Sequence, residues 1–292
     1  MVKLWRCIEV DVPEQDAELL SFQVAELLGA GVEMTPQGFR AYLDPDDGES
    51  FRLEETVRAL VSMCRDRNPV AARNYLVRTF DVEEDDWTDR WKAHFKPLRV
   101  GRHFVVCPTW EAFEPGEDDR VIRMDPGRAF GTGHHETTRL CLQWIEEFSL
   151  DHPVHTMSLL DLGTGSGILA AAAALLGFRR IVALDIDAEA VEVARENLAV
   201  NGLLSGVHLA VGSLDGFRER FDTVVANIQA GPLTAMADSL SEHLSPGGVL
   251  VLSGILSEQG PQVQAAFERE GLRHIERRID GEWCLLAFRR HG

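Results

Sequence analysis

Lysine is almost missing from this chain: of 29 basic residues among 292, only Lys3, Lys92 and Lys96 are lysines, and 26 are arginines. Against 47 acidic residues they leave a net charge of −18. Such a deficit of positive charge argues against broad binding to a phosphate backbone, which needs clustered Lys and Arg to displace counterions. It disfavours an anionic membrane surface for the same reason, and leaves small molecules or a basic protein as the natural partners. No apolar run approaches the ~20 residues that span a bilayer, and the polar start from Met1 to Pro13 lacks a signal-peptide core. The five cysteines (Cys7, Cys64, Cys107, Cys141, Cys284) are odd in number, scattered, and contain no C-x-x-C pair. Free thiols in a reducing cytoplasm fit that usage, and a thiolate zinc site does not. A G-x-S-x-G nucleophile elbow is also missing, because Thr164 precedes Gly165-Ser166-Gly167. His134-His135-Glu136 makes a poor metal site, since adjacent histidines point to different sides of any regular element. No metal is expected.

What is present is a chain with 45% hydrophobic residues, long enough for one large domain and a small one. Leu4 to Val10 alternates apolar and polar residues as a half-buried strand does. After Pro13, Glu14 to Leu28 is spaced as a helix and is closed by Gly29 and Gly31. Strand-like pieces follow at Val32 to Thr35 and Gly38 to Leu43, then the turn Asp44-Pro45-Asp46-Asp47-Gly48. A helix over Phe51 to Arg67 and a strand over Tyr75 to Val82 complete the order βαββαβ. That order predicts a ferredoxin-like α+β domain over residues 1–84. In residues 85–98, Trp87, Trp91 and Phe95 recur at helical spacing. The segment reads as a linker helix docking on one domain, or as an aromatic stripe lining the cleft between two.

Residues 99–292 begin with a hairpin-like region, Val100 to Pro108 and Val121 to Met124, and continue as a long α/β alternation. Strands are expected at Leu159 to Leu162, Ile181 to Asp185, Val207 to Val211, Asp222 to Ala226, Val249 to Ser253, Arg273 to Ile279 and Trp283 to Phe288. Helices between the early strands make parallel βαβ units. Asp280-Gly281-Glu282 is too short for a parallel crossover, so the last two strands must pair antiparallel.

The segment richest in chemistry is Leu160-Asp161-Leu162-Gly163-Thr164-Gly165-Ser166-Gly167-Ile168. A strand ends in an acid and a glycine loop that lets a ligand approach the backbone closely. A dinucleotide fingerprint requires G-x-G-x-x-G, yet Ile168 stands where its third glycine belongs. A pyrophosphate has no seat there, and Asp161 suits a cationic ligand instead. Asp185 lies 22 residues after Gly163, where an acid accepts hydrogen bonds from a ribose diol. Gly212-Ser213-Leu214-Asp215 closes the third strand as a wall for an adenine ring. Asn227 ends the fourth, and Ser245-Pro246-Gly247-Gly248 turns into the fifth.

These strand ends together resemble the class I S-adenosylmethionine-dependent methyltransferases. The resemblance implies an α/β, Rossmann-like sheet of seven strands in the order 3-2-1-4-5-7-6 with strand 7 antiparallel. Upstream, Asp125-Pro126-Gly127-Arg128-Ala129-Phe130-Gly131-Thr132-Gly133-His134-His135-Glu136-Thr137-Thr138 runs into an amphipathic helix. It is similar to the signature of the PrmA family, bacterial methyltransferases of the eleventh protein of the large ribosomal subunit. Trp87 to Pro97, Asn227-Ile228-x-Ala230 and Leu252-Ser253-Gly254-Ile255-Leu256 match as well, so the likeness runs from about Trp87 to Phe288. Carried over by motif, it implies that Thr138, Gly163, Asp185 and Asn227 contact S-adenosylmethionine, with Phe130 and Thr132 closing over it. Thr138 would hold the methionine carboxylate with its hydroxyl and free backbone N–H groups of a first helical turn. Asn227 would also be catalytic, facing the attacking amine. Gln229 departs from the pattern, since many relatives carry an apolar residue there.

The family implies methylation of lysine side chains, up to trimethyl-lysine, and of an α-amino group on that ribosomal protein. Composition and charge point to a cytoplasmic protein with neither nucleic acid nor membrane as a partner, and a monomer is expected. Two other readings share the same residues: a methyltransferase for another protein's lysine, a base or a small amine, and a nucleotide-binding interaction module without catalysis. The intact set Thr138, Gly163, Asp185 and Asn227 disfavours the last.

Overall fold

Ser158–Leu162 is buried at every position, the pattern of a parallel strand covered on both faces. In the computed structural model it is an interior strand of a seven-stranded sheet, third in the order and flanked by parallel neighbours on both sides. The structure describes residues 4–28, 32–43, 50–67, 69–83, 95–125, 131, 133–216 and 218–292. The chain forms two units, 1–96 and 97–292. Most of the expected linker helix, and Phe130 and Thr132, lie outside the described residues. The linker was expected to run to residue 98, but Leu98 already opens a strand.

In the first unit, β1 (Leu4–Asp11), α1 (Glu14–Leu28), β2 (Glu33–Thr35), β3 (Gly38–Leu43), α2 (Ser50–Arg67) and β4 (Leu76–Glu83) follow one another, with a 3-10 turn over Pro69–Asn74. The sheet order is β2-β3-β1-β4, antiparallel throughout. Ile8, Val10, Phe39 and Ala41 face one way and form a core with Leu20, Val24, Val57 and Val61. Their neighbours Glu9, Arg40 and Arg78 are paired rung by rung on the other face.

The second unit opens with β5 (Leu98–Val100), β6 (Phe104–Pro108) and β7 (Arg120–Met124). Strands β5 and β6 form an antiparallel hairpin, but β6 and β7 run parallel. The hairpin-like reading fails for that second pair, because the stretch 109–119 carries the chain back to the starting end without a helix. Then come α3 (Glu136–Asp151), β8 (Ser158–Leu162), α4 (Ile168–Leu176), β9 (Arg180–Asp185), α5 (Ala188–Val200), β10 (Val207–Val211), β11 (Phe221–Asn227), α6 (Ala230–Ala235), α7 (Ala237–Glu242), β12 (Leu244–Leu256), α8 (Gly260–Arg269), β13 (Leu272–Asp280) and β14 (Trp283–Arg290). The order across the sheet is β10-β9-β8-β11-β12-β14-β13. Strand β14 is antiparallel to both neighbours, as the short Asp280–Glu282 connection requires.

One face of this sheet packs Leu159, Val225 and Val251 under α3 and α4; the other packs Leu160, Val224 and Leu250 under α6 to α8. Strand β12 begins earlier than the sequence predicts. Ser245-Pro246-Gly247-Gly248 is a bulge inside it, not a turn before it: Phe221 pairs Leu244, and Thr223 pairs Val249. Gly247 takes a positive φ of 76° in that bulge. Among the described residues no helix is long and apolar enough to cross a membrane.

Candidate active site

Register places the strand ends level. Leu162 of β8 pairs with Leu184 of β9 on one side and Ala226 of β11 on the other. The next residues along these strands are Gly163, Asp185 and Asn227, so all three stand one step beyond a common rung. Neighbouring strands lie about 4.8 Å apart, which puts Asp185 and Asn227 about 10 Å from each other with Gly163 between. The rung is continued by backbone bonds from Gly163 and Thr164 to the Leu184 carbonyl, at 2.8 and 2.9 Å. Gly212 extends it to β10 with a 2.8 Å bond to the Asp185 carbonyl. Thr138 joins from α3: the Asn227 side-chain amide donates to its hydroxyl at 3.4 Å.

Each group has a definite state. Asp185 is half-buried; its Oδ2 accepts from Gly165 N–H at 2.9 Å and its Oδ1 from Asp187 N–H at 3.1 Å. A carboxylate offers about four lone-pair sites, so both oxygens can accept again. Beside it Ile186 is 80% exposed, an apolar face offered at the same edge. The Asn227 Oδ1 is buried and accepts nothing among the described residues. Gly163 has a φ of 71°, and a Cβ there would lie 2.9 Å from the Ile228 side chain. The glycine therefore seats Ile228 over the loop as well as opening the backbone.

Two expectations need correction. The Thr138 N–H is not free, because it donates to the His135 carbonyl at 3.1 Å in the first turn, and Thr138 is wholly buried. The turn is capped by His135, whose Nδ1 accepts from Thr137 N–H at 3.3 Å. Burial pushes that imidazole down to about 4, so it stays neutral and keeps its acceptor. Asp161, read as an acid facing a cation, is fully buried and points under the loop. Its Oδ2 accepts from the Thr164 hydroxyl at 2.7 Å and from Ala170 N–H at 3.1 Å, pinning the start of α4. Burial pushes its carboxyl up to about 7. The thiol of Cys141 is likewise buried and pushed up to about 12, which fits a core residue rather than a nucleophile.

A model of the family described as ribosomal protein L11 methyltransferase (PrmA) matches residues 5–291. The chain is 43% identical to the ribosomal protein L11 methyltransferase of Pelobacter propionicus, over 99% of both chains. It is 39% identical to that of Geobacter sulfurreducens over the full length of each. Among solved structures, the ribosomal protein L11 methylase of Lactobacillus delbrueckii subsp. bulgaricus superposes with a TM-score of 0.63 at 36% identity, covering 68% of this chain and all of that one.

The chain belongs to the PrmA family of methyltransferases.

Within the PrmA signature, the described glycines have packing roles. A Cβ on Gly131 would lie 2.8 Å from the Ser166 hydroxyl, and one on Gly133 would lie 2.9 Å from Val106. Further along, Ile228 N–H donates to the Ser253 carbonyl at 3.1 Å, and the Ser253 hydroxyl reaches the Thr137 carbonyl at 3.2 Å. The two motifs Asn227-Ile228 and Leu252-Ser253-Gly254 are thus one structure with the start of α3. Sequence reasoning missed the roles of three polar groups: Ser166 and Asn197 beside the glycine loop, and Glu146 further along α3. The buried Glu146 carboxylate accepts from the backbone of Arg102 and His103 at 2.7 and 2.8 Å, fixing the β5–β6 turn on α3. A lone acid on the apolar face of an amphipathic helix was its only signal.

Proposed function

We propose that the chain methylates amines of ribosomal protein L11, at lysine side chains and an N-terminal α-amino group, using S-adenosylmethionine. The observation that carries this reading is the level row Asp185–Gly163–Asn227, with unspent acceptors at its two ends and a close-approach glycine between. The residues fit the cofactor. Asp185 has lone pairs left for a ribose diol, Ile186 offers an apolar face beside it, and the buried Asn227 Oδ1 lacks a donor among the described residues. Thr138, placed against Asn227, would complete the methionine side of the site, and Phe130 and Thr132 remain candidates to cover it. When bound, S-adenosylmethionine supplies a methyl group already activated on a sulfonium.

The protein's own task is then alignment. A lysine amine, with an ordinary pKa of about 10.4, must lose its proton before it can attack. Apolar surroundings such as Ile228 favour the neutral amine by desolvation, and the Asn227 amide oxygen accepts one of its N–H bonds to fix its direction. Repeated methylation needs an amine that is released and realigned, which a single acceptor allows better than a clamp.

The sheet order of the large unit supports reading it as a class I methyltransferase sheet with its seventh strand reversed. The order β2-β3-β1-β4 of the small unit supports a ferredoxin-like domain. With a core of its own, that domain is the element that recognises the substrate. The net charge of −18 suits a basic, lysine-bearing partner reached in the cytoplasm. Mass spectrometry of purified L11 incubated with the chain and labelled S-adenosylmethionine tests the whole reading: label on lysine and α-amines is expected, and unlabelled L11 would overturn it. Deleting residues 1–96 is expected to leave cofactor binding within about twofold while abolishing L11 methylation, since the cofactor row lies entirely in the second unit.

A further inference from the structure

Both ends of the segment between Asp125 and Gly131 are tied to one residue of the glycine loop. The Ser166 hydroxyl donates to the Gly131 carbonyl at 2.7 Å. The Ser166 carbonyl accepts from the Asn197 side-chain amide at 2.9 Å, and the Asn197 Oδ1 accepts from Asp125 N–H at 3.2 Å. Both side chains are nearly inaccessible, Ser166 at 2% and Asn197 at 5% exposure. One turn on, the Asn201 amide brackets Arg123, accepting from its N–H at 2.8 Å and donating to its carbonyl at 2.5 Å. Asparagine is a weak helix former, and Asn197 inside α5 lowers its propensity, while Asn201 caps its C-terminal end. Their side chains are spent on fixing the end of β7 and the loop.

The loop needs such fixing. Gly163, Gly165 and Gly167 all take positive φ, at 71°, 52° and 79°. Three left-handed glycines in five residues make a loosely restrained backbone that loses much entropy on ordering. A Cβ on Gly167 would lie 2.9 Å from that of Ala194, so α5 already abuts the loop three residues before Asn197. Positions three apart share a helix face, which brings the Asn197 amide to the Ser166 carbonyl.

We propose that Ser166 and Asn197 are positioning residues for the transfer reaction: together they lock the glycine loop in register with Asp125 and Gly131, and cofactor affinity depends on that lock. The inference rests on reading the strand-end row as an S-adenosylmethionine site. Full-length Asn197→Ala, Asn197→Asp and Ser166→Ala test it by two measurements: calorimetric affinity for S-adenosylmethionine, and hydrogen exchange of peptides spanning 160–170 and 121–135 in the ligand-free protein. Each variant should bind at least about tenfold more weakly, as expected for the loss of one buried hydrogen bond in Ser166→Ala and of two in Asn197→Ala, with a raised KM for the cofactor and an unchanged kcat at saturation. Asn197→Asp keeps the acceptor for Asp125 but sets a carboxylate oxygen against the Ser166 carbonyl, so that repulsion should offset the bond it retains and its affinity should fall as far as that of Asn197→Ala. Exchange should quicken in both peptides in every variant. A lowered Tm with affinity within twofold of wild type, or faster exchange in only one peptide, would overturn the lock. Should Asn197→Ala not fold, Ser166→Ala decides alone by the same criteria. Wild-type protein that binds no S-adenosylmethionine would remove the cofactor reading, while the exchange measurements would still decide whether the two segments are locked together.

Discussion

On the small sheet, Arg40 and Arg78 share Glu9 at 2.5 and 2.9 Å, Arg78 also reaches Asp11 at 2.6 Å, and Glu33 adds a looser contact to Arg40 at 3.9 Å. At the edge of the large sheet, Asp185 keeps acceptor capacity after two backbone bonds, and Asn227 holds a buried oxygen with no donor among the described residues. Both regions are polar, but the first consumes its charges internally and the second leaves capacity over. Buried polar groups are nearly always satisfied in folded proteins, so a surplus marks where a ligand completes the count. Charge density alone would have pointed to the wrong sheet.

Replacing the residue at the richer end of that surplus should do the most damage. Asn227→Leu, close in volume and unable to accept, is expected to lower kcat/KM for L11 methylation by about 100-fold or more, the scale of losing a group that positions the reacting atom. Asp185→Asn removes charge and keeps shape, so it should fall mainly on cofactor affinity, by about tenfold. Steady-state kinetics with both substrates varied would separate the two. An Asn227→Leu enzyme that keeps its kcat would erase the distinction between the two sheets.

Much of this edge is legible in the sequence. Acid, glycine and amide residues punctuate apolar runs at Asp161 to Gly167, Asp185 and Asn227, and strand ends are where such punctuation must fall. The hidden parts depended on long-range contacts. Whether Asp161 faces a ligand or the helix beneath it is decided by Thr164 and Ala170, and sequence spacing serves either outcome. The bulge at Ser245 to Gly248 reads as a turn because the same residues make both. The parallel pairing of β6 with β7 follows from the path of 109–119, which carries no periodicity. Ser166 and Asn197 were the hardest, since a serine between glycines and an asparagine in a helix each have ordinary local explanations.

Asp161 gives a middle-sized effect and a sharper view of what surplus means. Its Oδ1 lacks a partner too, but in the fully buried interior rather than at the edge. A carboxyl raised from 3.8 to about 7 binds its proton more tightly folded than unfolded. Its contribution is therefore fully present below pH 3.8 and is lost as pH rises through about 7. The neutral His135 works the other way: with its pKa lowered from 6.5 to about 4, its contribution is present above 6.5 and is lost as pH falls through 4. Asp161→Asn removes the first dependence and leaves the second. The Tm of the variant relative to wild type should therefore rise by several degrees between pH 5 and pH 8, measured by scanning calorimetry. A constant difference across that range would mean that Asp161 is ionised throughout and that its orphan oxygen is solvated.

The smallest effect is expected where the charges are most numerous. Arg78 is half exposed and makes its two contacts on the open face of the small sheet. Exposed ion pairs are typically worth about 0–1 kcal/mol, because the attraction is screened and a long side chain must be held still. Arg78→Ala leaves Glu9 still paired with Arg40 at 2.5 Å, so no carboxylate is stranded by its removal except Asp11, which is partly open to water. The unfolding free energy should fall by less than about 1 kcal/mol in urea titrations. Affinity for S-adenosylmethionine should not change, because the row at Gly163 belongs to the other unit. A loss of several kcal/mol would show that this ion cluster holds the small sheet together, and paired charge would then matter to this fold as much as unpaired capacity does to its site.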